Sequence, residues 1–197
     1  MLQEKEQREA QSALYDTDSI YGWISILLHW TTSIAIVVLW FVGKGILNAE
    51  PDAIDAQRQL HVSIAASAWL VIAFRIYWRF RSGHPHVEGQ SIFIHRVAKI
   101  AHYAMLIVVS LMLVSGPLMV WAGGHSIGIF AWLSIPAPIG ASDSLRELAW
   151  FIHSNSALLL ILLILLHIGG ALKHLMFHTD HTIARMIWPG KRKAESE

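Results

Sequence analysis

Four long apolar runs organise this chain. They cover residues 20–42, 60–77, 98–121 and 148–172, and each has about the length of apolar helix that crosses the ~30 Å hydrocarbon of a bilayer. The first exceeds the apolar core of about 7 to 15 residues expected of a cleavable signal peptide, so it reads as a retained membrane helix. The second is bounded by Arg75 and Arg79, whose stems can lie in the apolar layer while their heads reach polar groups. Gly123 and Gly124 mark the end of the third. The Gly- and Pro-containing stretch 122–144 reads as one extramembrane loop. The pattern predicts an all-α membrane protein: a hydrophilic tail over 1–19, a four-helix membrane domain over 20–189 and a charged tail over 190–197.

Composition agrees with that reading. Hydrophobic residues make up 54% of the chain and charged residues 15%, with nine tryptophans, which is too apolar for an ordinary soluble domain. A net charge of +1 argues against nucleic acid or another polyanion as partner. Cysteine is absent, which removes disulfides, thiolate metal sites and iron–sulfur clusters and leaves histidine as the best transition-metal ligand. Basic residues give an orientation. Lys5, Arg8, Arg75, Arg79, Arg81, Arg96, Lys99, Lys173, Arg185, Lys191, Arg192 and Lys193 fall on one side, and only Lys44, Arg58 and Arg146 on the other. The positive-inside rule then puts both termini in the cytoplasm.

His153 and His167 lie fourteen residues apart in the charge-free fourth run. Fourteen residues make almost four whole turns, so both imidazoles leave one helix face about 21 Å apart. Ionisable groups inside a membrane are costly and are usually functional. With helix directions assigned, His153 lies near the outer face and His167 near the inner one. His61 opens the second helix at the level of His153, and His29 lies on the first near the level of His167. Two pairs result, His61 with His153 and His29 with His167, each drawn from two helices that can face one bundle interior.

A structural zinc site wants four protein ligands and a catalytic one three plus water, whereas each level supplies two imidazoles. Haem iron already has four porphyrin nitrogens and needs two axial donors, so bis-histidine haem b fits best. A buried histidine can also simply hydrogen-bond between helices, but four at two matched levels favour ligation.

The residues then carry a resemblance. Leu-His-Trp at 28–30, Leu-His-Val-Ser at 60–63 followed by Arg75 and Arg79, Ile-Ala-His-Tyr at 100–103 with Gly116 beyond it, and His153, His167 and Arg185-Met-Ile-Trp-Pro on the last segment resemble the prokaryotic cytochrome b561 family, over about residues 25–189. The resemblance implies a four-helix inner-membrane cytochrome enclosing two b-type haems, with the two histidine pairs as axial ligands and ubiquinone as electron partner. It also implies oxidation of superoxide coupled to ubiquinone reduction.

Other residues take secondary roles. Arg75 and Arg79 follow His61 by fourteen and eighteen residues on one face; Arg75 is expected at the propionates of the inner haem, and Arg79 either there or at the membrane surface. His102 and Gly116 are also fourteen apart, the first expected to hydrogen-bond near the inner centre and the second to let the outer porphyrin approach the backbone. His174 is either a quinone-side proton relay or an interfacial histidine. Its spacing with His178 and His181 also allows a metal site, but without a supporting carboxylate pattern this is the weaker reading. His84 and His86 read as solvated.

The outer surface bears on the electron donor. An anionic substrate is steered by positive potential, yet the outer side offers only Lys44, Arg58 and Arg146, beside Glu50, Asp52, Asp55, Asp143 and Glu147. Arg58, nearly one turn before His61, is the candidate gate of the outer haem. The segment 127–138 is the candidate lid, its aromatic residues otherwise serving as membrane-belt anchors. Three functions follow: a superoxide:ubiquinone oxidoreductase; a cytochrome b subunit passing electrons between quinone and a dehydrogenase or another redox protein; or a haem-free metal transporter or scaffold using the same histidines.

Overall fold

A computed structural model describes residues 13–17, 20–82, 92–177 and 186–189, without the side chains of 92–95, 174, 175 and 177. Most of the expected tail 1–19, all of 190–197, and His84, His86, His178 and His181 lie outside the described residues.

Among the described residues four long helices build the fold: α1 (Trp23–Leu47), α2 (Ile54–Ser82), α3 (Ile92–Ala122) and α4 (Asp143–Phe177). Each is long and apolar enough to cross a membrane, and the chain is a multi-pass membrane protein. Both ends of α2 extend past its apolar run, with Asp55 in the first turn and Arg79 and Arg81 in the last. Those charges complement the helix dipole. A helix in lipid must also satisfy its own backbone until water or headgroups can do so.

α1 lies along α2 and α3 along α4. α2 and α3 approach closely at few positions, and α4 makes almost no close backbone approach to α1 or α2. The bundle is therefore two helical hairpins facing each other across a gap. Pro117 lies inside α3 and cannot donate a backbone hydrogen bond to Leu113. The Leu113 carbonyl instead accepts one from Trp69 Nε1 on α2, at 3.0 Å. The missing backbone bond thus becomes a tie between the two hairpins.

At the end of the bundle where α1 begins, residues 13–17 and 20–22 fold over the start of that helix. The cap residue Gly22 has no side chain with which to cap, and Asp16 supplies the missing acceptor. Its Oδ1 accepts from Gly22 N at 2.8 Å and its Oδ2 from Ser25 Oγ at 2.7 Å. Arg79 Nη1 lies 3.5 Å from the same carboxylate, with both side chains almost fully buried, and the guanidinium sits 5.2 Å from the centre of the Tyr21 ring. A Cβ at Gly22 would collide with the backbone of Leu14 and Tyr15.

At the opposite end the long loop contains an element that the apolar pattern did not predict. Strands β1 (Ile127–Ile129) and β2 (Leu133–Ile135) pair antiparallel, with Ile127 opposite Ile135 and Ile129 opposite Leu133. At three residues each, they are too short to show a period in the sequence. The loop ends are drawn together by Ser142 N donating to the Ala122 carbonyl at 2.8 Å.

Removing one partner of a buried ion pair costs about 3–5 kcal/mol, whereas opening an exposed pair costs under about 1 kcal/mol. Asp16→Ala is therefore expected to lower the denaturation midpoint in detergent far more than Asp55→Ala, whose partner Arg58 is half exposed. Circular dichroism melts of the two variants check the difference.

Candidate functional site

Histidines from all four helices converge in the gap. Near the end where α1 begins, His29 of α1 faces His167 of α4, with ring centroids 6.3 Å apart and planes at 60°. His102 of α3 joins them, 5.2 Å from His167, and Trp30 stands edge-on to His29 at 5.5 Å. Trp30 Nε1 also donates to the Met186 carbonyl at 2.6 Å, and Trp188 packs edge-on against Trp23 at 5.4 Å. The C-terminal segment 186–189 thereby returns onto α1.

Toward the β-hairpin end, His61 of α2 faces His153 of α4, with centroids 6.4 Å apart and planes at 86°. An ion held between two imidazole nitrogens at about 2 Å from each sets the ring centroids about 6 Å apart once half of each ring is added. Both pairs have that separation.

The surroundings of the second pair are well defined. Gly116 of α3 lies against His153, where a Cβ would stand 3.4 Å from Cε1, and Gly43 of α1 lies against His61, where a Cβ would stand 3.3 Å from Cε1. Ser115 Oγ is 3.2 Å from His153 Nδ1. This contact leaves Nε2 as the nitrogen available to a metal, and orients the ring. His61 Nδ1 is buried without a hydrogen bond of ordinary geometry.

The arginines divide. Arg79 is taken up by Asp16 and Tyr21. Arg75 acts electrostatically on His29 and keeps one buried guanidinium nitrogen without a hydrogen-bond partner among the described residues. Thr32 Oγ1 and Trp121 Nε1 are likewise buried without hydrogen-bond partners among the described residues. Arg58 pairs with Asp55 at 2.6 Å and Arg146 with Asp143 at 3.6 Å, each within one helical turn. His174 lies two turns beyond His167 on α4, but its side chain falls outside the described residues. Among the described residues no cluster of three or more His, Cys, Asp or Glu is arranged to hold a metal ion.

Sequence reasoning missed Ser115 and Gly43. Gly43 had a signal, because it follows His29 by fourteen residues just as Gly116 follows His102. Ser115 had none, since a serine on an apolar helix ordinarily bonds to its own backbone, as Ser110 does to Leu106.

The sequence profile of prokaryotic cytochrome b561 matches residues 20–189. Cytochrome b561 homolog 2 of Escherichia coli (strain K12) is 26% identical over 175 residues, an alignment covering 87% of this chain and 93% of that protein.

Side chains grown at Gly43 or Gly116 point at imidazoles. Overpacking of this kind costs about 1–3 kcal/mol, so Gly43→Leu and Gly116→Leu are each expected to lower haem b occupancy by about 5- to 150-fold under limiting haem. Gly140→Leu, where a Cβ meets nothing within 4 Å, should not. Haem absorbance per chain measures the outcome.

Proposed function

Because this chain belongs to the prokaryotic cytochrome b561 family, whose members are membrane electron-transfer proteins that bind haem b, we propose that it holds two haems and passes electrons from superoxide to ubiquinone. The observation that carries this reading is the presence of two cross-helix imidazole pairs at two levels of one gap. On this reading both termini are cytoplasmic, the membrane domain spans 20–189, His29 and His167 hold the inner haem, and His61 and His153 hold the outer one.

The residues present fit such a group. The facing hairpins leave room between α4 and both α1 and α2, and the absence of side chains at Gly43 and Gly116 leaves the outer imidazoles uncrowded. The buried orphan donors Arg75, Thr32 and Trp121 are what haem carboxylates would satisfy, and an unsatisfied buried donor is otherwise costly. Haem b when bound supplies one-electron redox chemistry.

The protein's own groups do the rest. With the tautomer that leaves Nε2 to the metal, Ser115 Oγ accepts a hydrogen bond from His153 Nδ1–H and fixes that ring. Arg75 supplies positive charge beside His29. His102 stands against His167 as a hydrogen-bonding group at the inner level. Arg58 is the cation nearest in sequence to His61, and His174 is the candidate proton relay to quinone. In the overall reaction two superoxide ions each lose one electron to become dioxygen, and one ubiquinone takes up two electrons and two protons to become ubiquinol.

A second reading is a cytochrome subunit that takes electrons from a redox protein partner. It is favoured by the pairing of Arg58 and Arg146 with neighbouring aspartates, which weakens the field that would steer an anion.

The purified chain supplied with superoxide and ubiquinone is expected to show two haems b and superoxide-dependent ubiquinol. Two haems without that ubiquinol would favour the subunit reading, and a colourless chain the metal-transporter reading. His153→Ala and His167→Ala should each remove a different spectral centre. Ser115→Ala removes one neutral hydrogen bond, worth about 0.5–1.5 kcal/mol. At 59 mV per tenfold for one electron, it is expected to raise the potential of one centre by about 20–60 mV and leave the other unchanged. Redox titration of the two centres tests this.

A further inference from the structure

The β-hairpin presents an apolar tip. Loop residues 123–142 include no Asp, Glu, Lys or Arg. The hairpin is nonetheless firmly placed on α2. Phe130 N donates to Ser63 Oγ at 2.9 Å, and that hydroxyl donates to the Gly128 carbonyl at 3.1 Å. Gln59 Nε2 donates to the same carbonyl at 3.2 Å. A Cβ at Gly128 would stand only 2.7 Å from Gln59 Nε2, so the strand lies flush against the helix.

Ser63 is nine residues past the start of α2 at Ile54, about 14 Å along the axis, and already within the apolar run that begins near Leu60. The hairpin turn is pinned at that level. Its side chains face outward, with Trp132 93% exposed and Phe130 and Leu133 more than half exposed. Phe130 also adopts a φ of 50°, a region that penalises a bulky side chain. α2 and α3, the helices on which β1 packs, also carry exposed leucine and valine side chains. In water such a tip would be a liability. An indole with an apolar body and one N–H donor is at home in the headgroup layer.

We propose that residues 130–133 lie in the phospholipid headgroup interface, anchoring in the membrane the loop that Ser63 and Gln59 clamp beside His61. This assignment depends on the membrane architecture alone and not on the redox reading.

The chain has no cysteine, so single-cysteine labelling needs no background removal. Trp132→Cys, Leu133→Cys and, as an aqueous reference, Glu50→Cys would each carry a nitroxide in the full-length protein reconstituted in phosphatidylcholine vesicles, with retained haem absorbance reporting the fold. Labels at 132 and 133 are expected to collide more often with oxygen than with a water-soluble nickel chelate, and the label at 50 to show the inverse ratio. Equal access of the chelate at 132, 133 and 50 would overturn the proposal. So would poor access of both oxygen and chelate at 132 and 133, which would place a protein surface over the tip.

Discussion

The arrangement of the bundle follows from imidazoles that must reach across a gap between two helical hairpins. A histidine in the middle of an apolar helix is costly in lipid, and the cost is relieved only if the ring meets a partner. Here each of the four finds one on another helix, and those meetings occur where the backbones themselves stay apart. Every helix contributes at the same interval. His29 and Gly43, His61 and Arg75, His102 and Gly116, and His153 and His167 are each fourteen residues apart. The helices thus present either a ring, a cation or an open space at each of two levels.

The rest of the polar chemistry supports that frame. Where Pro117 strips the Leu113 carbonyl of its donor, Trp69 replaces it and ties the hairpins together, two residues from the serine that orients His153. Where Arg79 would lie charged and buried, Asp16 arrives from outside the helices to neutralise it. Arg75 has no such ion pair and keeps a buried nitrogen without a hydrogen-bond partner among the described residues, so the N-terminal segment shapes the electrostatics of the site without reaching it. At the other end Ser63, two residues from His61, holds the β-hairpin in place.

Much of this was readable in the sequence, and the division has a physical basis. Membrane helices advertise themselves by length and apolarity, so the four spans stood out, although each extends past its apolar run because backbone pairing continues into the interface. The meeting of the histidine pairs followed from helical periodicity and direction. The contacts that depend on chains crossing in space were not readable. Asp16 lies in a tail with no apolar signal, and its partner is sixty-three residues away. Gly43 required the fourteen-residue interval to be sought on every helix. The β-hairpin rests on one hydroxyl and one amide side chain of α2, which no local pattern of residues 127–135 records.

The shared interval has a consequence for how such a chain can change over generations. Between the two levels, for example over residues 154–166, the identity of most side chains is free to drift among apolar types, since lipid and gap accept them alike. The number of residues is not free. One inserted residue turns everything beyond it by about 100°, carrying the second position of that helix from the gap toward lipid while its partners stay behind. These spans should therefore diverge by substitution while their lengths stay fixed, as in a ruler whose markings can be repainted but not moved.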